Sequence, residues 1–321
     1  MTIPVSIAPM MDWTDRHCRY FLRLLTPSAR LYTEMVTAAA IVHGEPDRLL
    51  RFDAAEHPVA LQLGGSDVGW MTSAAVAAAD FSYDEININV GCPSDRVQSG
   101  QFGACLMATP DIVAACYSAM CAKVDVPVTI KTRIGIDDQD SYDFLKRFVD
   151  SLVTVGCRTF VVHARIAILE GLSPKENRTV PPLNYERVYR LKQDYPDLQI
   201  VLNGGIKTLQ QVDEVLAHVD GVMIGREAYH NPYFLAELEN HLLPAWPLPQ
   251  RQEVVRQMIP YIERELAAGE RLSRITRHMS GLFLGQPGAR AWRRFLSENA
   301  CLENAGPEVV VSALEQMPMA A

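Results

Sequence analysis

The chain has 321 residues and a mass of 35.7 kDa, room for one large core and a smaller satellite domain. Hydrophobic residues make up 48% and charged residues 21%, no run approaches a membrane-spanning length, and the opening MTIPVSIAPMMDW has no basic stretch ahead of an apolar one, so neither a membrane helix nor a signal peptide is expected. Seven irregularly spaced cysteines with no CxxC suggest neither a disulfide framework nor a metal site, which makes a reducing cytoplasm the expected location; the net charge of -8 argues weakly against a nucleic-acid partner.

Short apolar runs recur along the chain. They are VSIAPM at 5–10, RLYTEMV at 30–36, PVALQLGG at 58–65 and EININV at 85–90. VPVTIKTR at 126–133, RTFVVHAR at 158–165, LQIVLNGG at 198–205 and DGVMIGR at 220–226 complete the set. Helical periodicity separates several of them, at 68–79, 110–124, 141–154, 185–194 and 209–217, with Thr208 as a cap for the last. Eight strand–helix units predict an α/β fold, a TIM (β/α)8 barrel. An open doubly wound sheet is the alternative, but no Gly-x-Gly-x-x-Gly follows the first strand. After residue 230 the pattern changes. Pro244, Pro247 and Pro249 suggest a linker, and helical spacing follows at 252–267 and 272–284. The expected division is a catalytic barrel over 1–243 and a C-terminal all-helical domain over 244–321. The sequon Asn177-Arg178-Thr179 is expected to be silent in a cytoplasmic chain.

In such a barrel, sites form where strands end. The polar residues there are Gln62, Asn87, Asn89, Lys131, Arg133, His163, Arg165, Asn203 and Arg226. Any one of these is as easily a structural rim residue; six strands ending this way point to a functional rim. Asn203-Gly204-Gly205 and Gly225-Arg226 close the seventh and eighth runs, where backbone N–H groups commonly cup a phosphate. They imply a phosphorylated cofactor or substrate.

Cys92 sits between Gly91 and Pro93 just past the fourth run. A free cysteine is more often packing than catalyst, but this one lies at a strand mouth. It serves either as a general acid, since an ordinary thiol is mostly protonated at neutral pH, or as a nucleophile with His163 as base.

Several longer stretches carry a resemblance. APMMDWTDRHCRYF, YTEMV, VALQLGGS, NVGCPSDRVQSGQFGACLM, IKTRIG, HARIAILEGLSPKENR, NGGI and DGVMIGREAYHNP together resemble the tRNA-dihydrouridine synthases. They are most like the bacterial A-type members, which act on positions 20 and 20a of the tRNA D-loop. The match spans residues 7–232 and, less distinctively, the helical tail.

The resemblance implies noncovalent FMN, NADPH as reductant and tRNA as substrate, with no membrane, no obligate protein partner and a monomer. It places Ala8, Pro9 and Met10 against the flavin, Gln62, Lys131 and His163 at its ring or ribityl chain, and Asn203, Gly204, Gly205, Gly225 and Arg226 at its phosphate. Asn89 would orient the target uracil and Cys92 would donate the proton. Arg133, Arg165, Lys175 and Arg178 would contact uracil or RNA. Residues 251–300 hold nine arginines against five glutamates. With the resemblance, Arg271, Arg274, Arg277, Arg290, Arg293 and Arg294 read as an RNA-binding surface; without it they read as a solvated helix face. Three rivals stand beside this: a flavin barrel acting on free pyrimidines, a Cys92–His163 hydrolase, and a non-catalytic RNA-binding protein.

Overall fold

The structure is a computed structural model that describes residues 4–94, 97 and 100–317. Eight parallel strands close the expected barrel: β1 Val5–Ile7, β2 Arg30–Thr37, β3 Val59–Gly64, β4 Glu85–Val90, β5 Val128–Arg133, β6 Thr159–His163, β7 Gln199–Asn203 and β8 Gly221–Ile224. β1 pairs with β8 through Val5–Val222, Ser6–Met223 and Ile7–Ile224, which closes the ring. Period-two alternation sets the two faces of each strand. On β4, Ile86, Ile88 and Val90 are buried apolar residues, while Glu85, Asn87 and Asn89 share the other face. That second face is the interior, because it joins strands that are not neighbours. Tyr32 of β2 donates to Glu85 of β4, and Lys131 of β5 to Asn203 of β7.

The helices between strands follow the sequence closely. Val68–Ala79, Pro110–Cys121, Tyr142–Thr154, Tyr185–Asp194 and Leu209–Leu216 are helical. Each begins where its chemistry says it should: Asp67, Ser141, Asn184 and Thr208 accept the N–H three residues on, and Pro110 opens its helix at the first turn.

Contacts group the chain into two compact units, one of Pro4–Met11 and Arg30–Gly225, which carries the barrel. The other is built on Asp12–Ala29 and the residues from Arg226 onward. The proline run therefore lies inside the second unit. The reason is chemical. Glu239, on the helix Tyr233–Leu242, is fully buried and accepts the hydroxyls of Thr26 and Ser28. Tyr233 donates to the Pro249 carbonyl at 2.8 Å and lies under the Arg251 guanidinium at 3.5 Å.

In this second unit, alongside helices Arg251–Ala267 and Glu308–Glu315, the helix Ala289–Asn299 carries Trp292, fully buried, its ring edge-on to Phe283 and its indole N–H reaching the Met279 carbonyl at 3.1 Å. The helix expected over 272–284 is shorter: Leu272–Thr276 passes into a 3-10 turn at Arg277–Met279. Beyond it, Gly281 sits where a Cβ would lie 2.6 Å from the His230 carbonyl oxygen, and Gly285 has φ +77°. Among the described residues no helix is long and apolar enough to cross a membrane.

Candidate active site

A polar network occupies the barrel interior below the strand ends. Asn89 Nδ2 donates to Gln62 Oε1 and Gln62 Nε2 to Asn87 Oδ1, both at 2.8 Å. Gln62 is 1% exposed, so its amide is engaged at both ends and keeps one hydrogen for anything else. On the facing strands, Lys131 Nζ donates to Asn203 Oδ1 at 3.3 Å, and Asn203 Nδ2 to the Met223 carbonyl at 2.8 Å. Burial, with Arg133 adding repulsion and Cys92 opposing it, pulls Lys131 down from 10.5 to about 7.

Cys92 is held by its surroundings rather than by a helix. Asn89 Oδ1 accepts the N–H of Gly91 and of Cys92, an Asx-type turn that lifts the thiol past the end of β4. The Cys92 carbonyl accepts Ala104 N–H at 2.9 Å, and that approach requires Gly103, at φ +78°. A Cβ on Gly103 would lie 2.5 Å from the Cys92 oxygen. Among the described residues the thiol's hydrogen-bond partner is Ser94 Oγ, at 3.5 Å, not an imidazole.

Arg133, expected to contact uracil or RNA, is engaged by the protein's own backbone. It is 3% exposed and donates to the carbonyls of Gly91 at 2.8 Å, Ile166 at 2.8 Å and Asn177 at 3.1 Å. It clamps the Cys92 turn to the loop after β6. Burial draws its pKa down to about 10, with Cys92 opposing and Arg178 and Arg165 adding to the fall, so it stays a cation at neutral pH.

Residues 163–178 form one pinned loop. Asn177 is fully buried; its Oδ1 accepts Ile168 N–H at 2.7 Å and its Nδ2 donates to the Ile168 carbonyl at 2.8 Å. The sequon is therefore closed to glycosylation in the folded chain. Arg165 reaches the Pro181 carbonyl, Lys175 is exposed, and Arg178 is half-buried beside Arg133. Arg165, Arg178, Arg133 and Lys131 thus make one positive quarter of the rim.

At the ends of β7 and β8 the chain turns on glycines. Gly204 and Gly205 have φ of +122° and +76°. A Cβ on Gly204 would lie 2.8 Å from His163 Cδ2, and one on Gly205 would lie 2.5 Å from Leu183 Cδ1. Tyr185 bonds the Gly204 carbonyl. Gly225 differs: a Cβ there would meet only Ala8 Cβ, at 3.9 Å, so the space over it is open. Ala8 and Met10 are buried, and Ala8 N–H bonds the Ile224 carbonyl at 2.8 Å. Pro9 is half-buried between them. Arg226 begins the helix Arg226–His230 of the other unit.

The family profile described as "Dihydrouridine synthase (Dus)" matches residues 6–317. The chain belongs to the dihydrouridine synthase family. A Salmonella typhimurium relative is 59% identical over 313 residues, 97% of this chain and 93% of its own. One from Shewanella oneidensis is 58% identical over 97% and 93%, and one from Vibrio cholerae 57% identical over 98% and 96%. All three are named tRNA-dihydrouridine(20/20a) synthase. Among solved structures, an old yellow enzyme homologue from Zymomonas mobilis superposes with a TM-score of 0.55 at 11% identity, over 77% of this chain and 90% of that one. At that identity the likeness concerns the fold alone.

In this dihydrouridine synthase family member all six tail arginines are exposed, and several are also paired with acids. Arg277 pairs with Asp15 at 2.7 Å, Arg274 with Glu270 at 3.2 Å and Arg294 with Glu298 at 3.9 Å. Sequence reasoning missed Gly103, Ser94 and Asn177 as parts of the site. The Asn89-x-Gly-Cys spacing signals an Asx turn, but nothing local signals that Gly103 and Arg133 return to close on it.

Proposed function

We propose that this chain is a flavin-dependent tRNA-dihydrouridine synthase that reduces the C5=C6 bond of D-loop uridines, at positions 20 and 20a, with NADPH as electron source. The observation that carries the reading is that relatives 56–59% identical over 97–98% of the chain bear that name. The site's chemistry agrees with it.

The residues fit FMN on two counts of geometry. Open space lies over Gly225, and Gly204 and Gly205 hold positive φ at the end of β7, a kind of turn whose backbone N–H groups can meet a phosphate. Asn203, Gly204, Gly205, Gly225 and Arg226 would hold the phosphate. Ala8, Pro9 and Met10 would line the ring, and Lys131, His163 and the spare Gln62 hydrogen would meet its polar edge. When bound, FMN supplies the hydride that adds at C6 of uracil.

What the chain itself must do is place the base and deliver a proton. Charge develops at C5 as C6 is attacked, and the Cys92 thiol supplies the proton there. Lys131, with its pKa drawn down to about 7, would offer positive charge at the flavin's polar edge. The remaining Asn89 Nδ2 hydrogen would meet a uracil carbonyl. Arg165, Lys175 and Arg178 give the rim a charge that suits a ribose-phosphate strand, and Arg133 serves them by fixing the loop. The target base leaves its stack to enter, at about a few kcal/mol. Arg271, Arg290 and Arg293 would meet phosphates elsewhere on the tRNA.

The test is direct. Purified protein should be yellow, and with NADPH it should convert unmodified tRNA to tRNA carrying dihydrouridine at 20 and 20a, read by mass spectrometry. Colourless protein, or reduction of free uridine as fast as of tRNA, would overturn the reading.

A further inference from the structure

A hydrogen-bond chain joins the Cys92 turn to a carboxylate at the other end of β4. Glu85, Asn87 and Asn89 lie on one face of that strand, Glu85 and Asn89 about 13 Å apart at 3.3 Å per residue. Asn89 Nδ2 donates to Gln62 Oε1, Gln62 Nε2 to Asn87 Oδ1 and Asn87 Nδ2 to Thr129 Oγ1, each at 2.8 Å. Thr129 Oγ1 donates to Glu85 Oε1 at 2.6 Å. Glu85 also receives the Tyr32 hydroxyl and the Arg30 guanidinium. Gln62, Glu85, Asn87, Asn89 and Thr129 are all buried.

Every link donates toward Glu85, and the order follows from the last one. An ion-paired carboxylate has only acceptors. Thr129 must therefore give its single hydrogen to Glu85 and accept from Asn87. Asn87 then presents its amide nitrogen to Thr129 and its oxygen to Gln62. Gln62 must turn its nitrogen to Asn87 and its oxygen to Asn89. That leaves the Asn89 oxygen, not its nitrogen, facing the N–H groups of Gly91 and Cys92. Reversal of the chain would set a donor against two donors and release the turn.

We propose that Glu85 is a positioning residue for Cys92, acting through Thr129, Asn87, Gln62 and Asn89 to fix the polarity of the Asn89 amide. The catalytic consequence rests on the reading of Cys92 as proton donor; the structural consequence does not.

The experiment uses Thr129→Val, which removes the hydroxyl at nearly constant volume, and Thr129→Ser, which keeps it. Amide hydrogen exchange is read at Gly91 and Cys92 in the purified full chain, beside NADPH-driven reduction of tRNA. In Thr129→Val, exchange at these two amides should rise about tenfold, the loss of roughly one hydrogen bond's protection, while Thr129→Ser stays within about twofold of wild type. Turnover on tRNA should fall in Thr129→Val with KM for tRNA unchanged. A second variant, Glu85→Gln, keeps size and exchanges an acceptor for a donor; it should also speed exchange at Gly91 and Cys92. Unchanged exchange in Thr129→Val or in Glu85→Gln overturns the proposal, as does a uniform rise over β4 and β5, which means general loosening. Faster exchange at the two amides with tRNA reduction unaffected upholds the positioning and overturns Cys92 as donor instead.

Discussion

One oxygen of Asn89 accepts two backbone donors, Gly91 N–H at 3.1 Å and Cys92 N–H at 3.0 Å. The side chain thus acts first as the frame of the Cys92 turn. Asn89→Ala removes that acceptor and should lower tRNA reduction about 10²-fold, the cost of misplacing a reacting group by around 1 Å. Bound flavin and NADPH oxidation by an artificial acceptor should persist, and steady-state assays with each acceptor check this.

Gly103 closes the same turn from the other side. Gly103→Ala would force a Cβ to within 2.4 Å of Val97 Cγ1 and 2.5 Å of the Cys92 oxygen, at a φ of +78°. The left-handed conformation alone costs about 1–2 kcal/mol for an alanine. Thermal unfolding should occur several degrees lower, and tRNA reduction should fall further than stability explains. Full activity in a folded Gly103→Ala protein would mean the turn tolerates a shifted Cys92.

The barrel was legible because each signal is local. Runs of β-branched residues end in polar side chains, and caps such as Ser141 and Thr208 sit one step before helices. The positions of Cys92, Asn203 and Gly204 at strand ends were legible for the same reason. The roles of Arg133 and Gln62 were not. Arg133 meets carbonyls from residues 42, 33 and 44 positions away, and Gln62 meets amides 25 and 27 positions away. No local pattern encodes those meetings. The 272–284 helix likewise ended early, passing into a 3-10 turn at Arg277–Met279 that its apolar spacing did not announce.

Lys131 should leave a signature in stability. Its folded pKa is about 7 against an ordinary 10.5, so below pH 7 the folded state carries the full cost of a buried cation. The cost is relieved as pH rises from 7 toward 10.5, where the unfolded chain also loses the proton. Lys131→Met should therefore raise the unfolding midpoint of flavin-free protein most at about pH 6, with a smaller gain at about pH 9. Equal gains at both, by calorimetry, would mean that Lys131 is not depressed.

The tail arginines divide by pairing. All three of Arg274, Arg290 and Arg293 are exposed, but Arg274 already faces Glu270 at 3.2 Å. Arg290→Glu and Arg293→Glu should each weaken tRNA binding and lower the slope of log affinity against log salt by about 1. Arg274→Glu should do less. Titrations at several salt concentrations give the slopes, and unchanged slopes would mark these arginines as a solvated face.

Cys92 carries the sharpest prediction. Its thiol stands at the mouth of β4, framed by Asn89, Gly103 and Arg133, and none of these belongs to the glycine cup. Cys92→Ala should therefore keep its flavin. It should also keep reduction by NADPH, a half-reaction that calls on no proton for C5. What should fail is reoxidation by tRNA, because addition at C6 without a proton for C5 is uphill. Removing a positioned general acid typically costs about 10²–10⁴-fold. Cys92→Ser should recover little, since a hydroxyl is a far weaker acid than a thiol. The measurement is a single turnover of prereduced enzyme mixed with unmodified tRNA and followed by flavin absorbance. If Cys92→Ala reoxidises within a few-fold of wild type, the proton comes from another group, and the turn that Asn89 frames serves binding instead.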